Sequence, residues 1–120
     1  MIKSYTDLEQ SKKLAEILPI ESADMWHPDS GSGNEIEYGF DAIRQQMYID
    51  YGDGHPCWSF AALLNILPDG TDIVKDKADT ENEKYMCTVG VKDDIISMFG
   101  NNPVDACADM IIKLHELNLL

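Results

Sequence analysis

The chain has 120 residues, 44% of them hydrophobic and 26% charged, with a formal net charge of −13 at pH 7. That length fits a single globular domain, 1–120, whose core buries roughly two thirds of the unfolded surface, so folding needs neither disulfides nor a structural metal. The charge disfavours nucleic-acid phosphates and anionic lipid, and it is concentrated: from Glu16 to Val74 eleven Asp and Glu face one basic residue, Arg44.

In chain order, the first expected element is a helix near 6–18. Thr6 is placed to cap it, with Glu9 three residues on in the capping-box position, and Pro19 ends the apolar stripe of Leu8, Leu14, Ile17 and Leu18. Residues 19–34 read as an ordered loop with a Gly- and Ser-rich tip. Within it Met25 and Trp26 are apolar groups that either anchor the loop or present a binding patch. Residues 35–51 alternate weakly and include the β-prone run 47–51, which predicts short strands.

A second helix is expected near 56–67. Pro56 suits a first helical turn, and the residues after it are apolar on every side, the pattern of a buried helix. Residues 69–83 are polar and acidic and read as an exposed loop. A hairpin near 84–99 follows from two β-rich runs around Lys92, Asp93 and Asp94. The last helix, near 103–117, has Asn102 as cap and Pro103 in its first turn. Val104, Cys107, Ala108, Ile111, Leu114 and His115 share one of its faces. The expected class is therefore α+β: about three helices packed with a small antiparallel sheet.

Chemistry centres on Cys57. In the first turn of a helix a thiol feels the positive end of the helix dipole, which favours the thiolate. Gly54, His55, Pro56, Cys57 and Trp58 resemble the nucleophile region of papain-like cysteine proteases. The resemblance covers about seven residues and departs from the pattern at Gly54 and Tyr51. Cys57 and His55 are thus candidates for a thiol enzyme or redox-sensitive switch, against the alternative that Cys57 starts a core helix. No zinc spacing links the three histidines and three cysteines, so neither metal nor cofactor is expected. Cys107 and His115 lie too far apart on one helix to touch.

A second resemblance runs through scattered blocks: Ile17, Leu18 and Pro19; Ala23, Asp24 and Met25; Pro56 to Ser59; and Asn102 to Cys107. Together they resemble small proteins of gut Bacteroides-type bacteria, often near prophage or mobile elements and without assigned activity. The resemblance implies an accessory role and transfers no catalytic residue.

The sequence therefore favours a non-enzymatic protein-binding module. Its candidate patch is Asp24, Met25, Trp26, Glu35, Glu37 and Tyr38, apolar anchors in an acidic rim that suits a basic partner surface. Mimicry of nucleic-acid charge is a further alternative. No leader pattern or membrane-length apolar run is visible, and three scattered cysteines do not make a disulfide framework, so the expected location is the cytoplasm.

Overall fold

A computed structural model describes residues 3–28, 37–38, 41–52, 54–75 and 85–120. Its described residues form four α-helices and two three-stranded antiparallel sheets, an α+β arrangement. The chain divides into two compact units, one of Tyr5–Ala62 and one of Leu63–Leu120 with Lys3 and Ser4.

In the first unit, helix α1 spans Leu8–Ile17. Its cap is Asp7, one residue later than expected. The Asp7 carboxylate accepts from the Gln10 amide at 2.8 Å, and the Gln10 side chain accepts from the Asp7 amide at 3.1 Å. Thr6 is unavailable to the helix because tertiary structure claims it. Its backbone amide donates to the Trp58 carbonyl at 2.9 Å, and its buried hydroxyl accepts from the Trp58 amide at 3.1 Å. Leu14 is buried completely, and Leu18 closes the helix before Pro19.

A 3-10 turn at Ile20–Ser22 leads into strand β1, Met25–His27. This strand is the centre of the sheet β2-β1-β3, with β2 at Glu37–Tyr38 and β3 at His55–Cys57. Met25 pairs with Cys57, Trp26 with Pro56 and His27 with His55. Pro56 and Cys57 therefore belong to a strand and not to a first helical turn. Pro56 is tolerated because β3 is an edge strand, where a missing amide need not break a ladder.

The expected strands across residues 35–51 are also corrected. Apart from β2, the described part is helix α2, Ala42–Tyr51. Asp41 caps it by accepting from the Arg44 amide at 3.0 Å. Gly52, at φ 65°, ends it in the left-handed conformation that glycine adopts without strain. These end signals, with a Gln46–Asp50 hydrogen bond of 2.8 Å one turn apart, outweigh the β-propensity of residues 47–51. Residues 35, 36, 39 and 40 lie outside the described set.

Helix α3 is shorter than expected, Phe60–Ile66. Ser59 caps it, accepting from the Ala62 amide at 3.1 Å, and Asp24 in turn accepts from the Ser59 hydroxyl and amide. The helix is not buried on most sides: Leu63 is fully buried, whereas Leu64 is 40% exposed.

In the second unit the polar stretch read as loop contains strand β4, Asp72–Lys75. It pairs with β5, Tyr85–Val91, which forms the expected hairpin with β6, Asp94–Gly100. Lys92 supplies the positive-φ turn position. Helix α4, Pro103–Glu116, is capped by Asn102, which accepts from the Asp105 amide at 2.9 Å. Val104, Ala106, Cys107, Met110, Ile111 and Leu114 form its buried stripe. Gly100 lets α4 start close to β6, since a methyl there would fall 2.8 Å from the Ala106 nitrogen. His115, expected on the apolar face, is exposed.

Candidate functional site

Cys57 sits on β3 with no exposed surface. Its thiol donates to the Thr6 carbonyl at 3.3 Å and lies 3.6 Å from the Thr6 hydroxyl. Ser11 adds a hydroxyl 2.8 Å from that of Thr6. Burial pushes the Cys57 thiol above its ordinary range, against the smaller opposing effects of the Thr6 and Ser11 hydrogen bonds. Cys57 lies outside α1, α2 and α3. It is a buried, protonated donor.

The nearest histidine chemistry does not activate it. His27 Nε2 lies 3.2 Å from the same Thr6 carbonyl. A carbonyl only accepts, so Nε2 carries the proton there and cannot serve as a base through that nitrogen. Burial lowers the His27 pKa, which keeps the ring neutral. His55, the other candidate, stands across the strand pair from His27. The arrangement joins the residue before the α1 cap, β1 and β3 around one carbonyl.

The other two cysteines meet each other. Cys87 on β5 and Cys107 on α4 are fully buried and hydrogen-bonded together. That bond, and then burial, hold the Cys107 proton well above the thiol range. Exposed His115 is no partner in this pair. Among the described residues no three His, Cys, Asp or Glu side chains converge on a position suited to a metal ion.

The fold brings four residues of the candidate patch together as strand partners, Met25 with Tyr38 and Trp26 with Glu37. Met25 is 2% exposed and Trp26 7%, so both are core residues of β1 and not surface anchors. Strand β1 is paired on both of its edges, at the centre of its sheet. Gly54, at φ 76°, lies against the Trp26 indole, where a methyl group would fall 1.9 Å from Nε1. Arg44 of α2 covers the ring at 5.5 Å from its centroid. Asp24 is exposed but engaged with Ser59. Glu37 and Tyr38 are placed by their backbone on β2, and Glu35 lies outside the described residues.

The most exposed apolar groups described in this unit are on α2 instead. No residue of α2 is buried. Ile43 is 72% exposed, Ile49 61% and Tyr51 81%. Ala42, Ile43, Met47 and Tyr51, with Gln46 and Asp50, line a shallow groove along one side of the helix. The 4-residue spacing of Ile43, Met47 and Tyr51 puts them in one row. The readable signal was the pair of end markers, Asp41 and Gly52, around this spacing. Compared with protein-family models, curated proteins and solved structures, the chain matches none of them.

Proposed function

We propose that the chain is a non-enzymatic protein-binding module, an accessory protein of a bacterium or its mobile elements, and that it docks its partner on the exposed face of α2. The observation that carries this reading is the outward row of Ile43, Met47 and Tyr51 on a helix with no buried residue. Single exposed apolar residues are ordinary, but a row lining a groove is the anatomy of a docking helix.

The surroundings select the partner. Arg44 is the one basic residue from Glu16 to Val74, and it is engaged with Asp41 at 3.0 Å and with Trp26. A partner with apolar anchors inside a Lys- and Arg-rich rim complements this region, and direct nucleic-acid binding does not. Three free cysteines accord with a cytoplasmic setting. The buried, protonated state of Cys57 supports a binding role over thiol catalysis.

The test places a photo-crosslinking residue at Gln46, identifies the cross-linked protein and measures its affinity for the purified chain. Affinity falls with added salt, and by roughly tenfold or more in Ile43→Ser with Tyr51→Ser. A partner that binds the double variant as tightly as the parent chain overturns the reading.

A further inference from the structure

Sheet β4-β5-β6 has two faces with different fates. Ile73, Cys87 and Met98 stand opposite one another on the face where Cys87 meets Cys107 of α4. One residue along each strand, side chains point the other way. There Val74, Met86 and Phe99 form a row across all three strands, and Asp72, Thr88 and Ser97 form the next. Val74 is 47% exposed and Phe99 42%; Ile95, further along β6 on this same face, is 73% exposed. Asp72 is the single charged residue on this face of the three strands, in a chain whose charged content is 26%. Exposure, apolar content and depletion of charge together mark the centre of a protein interface.

We infer that this sheet face is the contact between two copies of the chain. A second copy carries the same net charge of −13 and approaches only where carboxylates are sparse. The two rows are also self-complementary. A twofold axis along β5 lays β4 of one copy over β6 of the other, as an isologous contact requires. Val74 then faces Phe99, and Met86 packs at the axis. In the next row Asp72 faces Ser97. The Thr88 and Ser97 hydroxyls lie 3.3 Å apart. With Thr88 donating to Ser97, the Ser97 proton points to the Asp72 carboxylate of the second copy, so the one charge on the face gains a donor. Face-to-face sheets packed in this way sit about 10 Å apart.

Sedimentation velocity on the full chain across its soluble concentration range tests the inference. A monomer–dimer equilibrium is expected, and salt tightens it, because screening weakens repulsion between the copies while the apolar contact persists. Phe99→Lys weakens the dimer by roughly tenfold or more. Ser97→Lys does the same while leaving the apolar row intact, which guards against misfolding of the first variant; circular dichroism checks both. Ile43→Ser on α2 leaves the dimer unchanged. A chain that stays monomeric at every concentration overturns the inference. So does a dimer indifferent to both lysine substitutions, or one abolished by Ile43→Ser. The opposite salt dependence separates this contact from partner docking on α2.

Discussion

The Thr6 carbonyl takes two hydrogen bonds, from the Cys57 thiol at 3.3 Å and from His27 Nε2 at 3.2 Å. Both donors are neutral, and both are kept so by burial. For Cys57 the consequence is low reactivity: at neutral pH iodoacetamide leaves it unmodified in the native chain and modifies it after denaturation, read by peptide mass spectrometry. Its folded pKa is raised, so its contribution to stability is fully present below the unfolded thiol pKa of about 8.5 and is lost as pH rises through the folded value. His27 behaves in the opposite sense. Its folded pKa is lowered from 6.5, so its contribution is present above 6.5 and is lost as pH falls through the folded value. Melting temperature is expected to drop on acidification from 6.5, and His27→Gln, which keeps a donor but does not titrate, flattens that part of the profile.

Among the elements, α2 depends most on its ends, since it has no buried residue to hold it. Asp41 supplies a cap to the Arg44 amide and an ion pair to its side chain. Asp41→Ala is expected to cost about 1 kcal/mol, nearly all of it from the lost cap, because the exposed ion pair adds little. Gly52→Ala forces a side chain into φ 65° and costs about 1 kcal/mol. Urea unfolding of both variants checks these values; a loss well below half of either shows that Arg44 on Trp26 anchors the helix more firmly than its caps. The elements legible in the sequence were those with local signals of this kind. Helix α4 carries Asn102, Pro103 and an apolar stripe, and the β5–β6 hairpin has two β-rich runs around one turn. Helix α2 had such signals too, but its β-prone residues outweighed them in a reading without tertiary context. Strand β4 had none: Asp72 and Lys75 give it a polar sequence, and pairing with β5 makes it a strand.

For the whole molecule the net charge is the dominant property. Self-repulsion at −13 opposes the compact state, so moderate salt is expected to raise the melting temperature at neutral pH. A melting temperature that falls with salt shows instead that local ion pairs, such as Lys3–Asp105 at 2.8 Å, outweigh the repulsion. The α+β class, the hairpin, the first and last helices and the acidity of residues 16–74 were determined by the sequence itself. Periodicity, caps and charge act over a few residues and need no distant partner. Tertiary structure alone decided that Cys57 lies on a strand, that Thr6 serves it and not α1, and that Met25 and Trp26 are core. Thr6 and Cys57 are 51 residues apart, and β1 finds β3 across α2. Burial of a strand depends on what pairs with both its edges and what covers its face, and no local pattern carries that information.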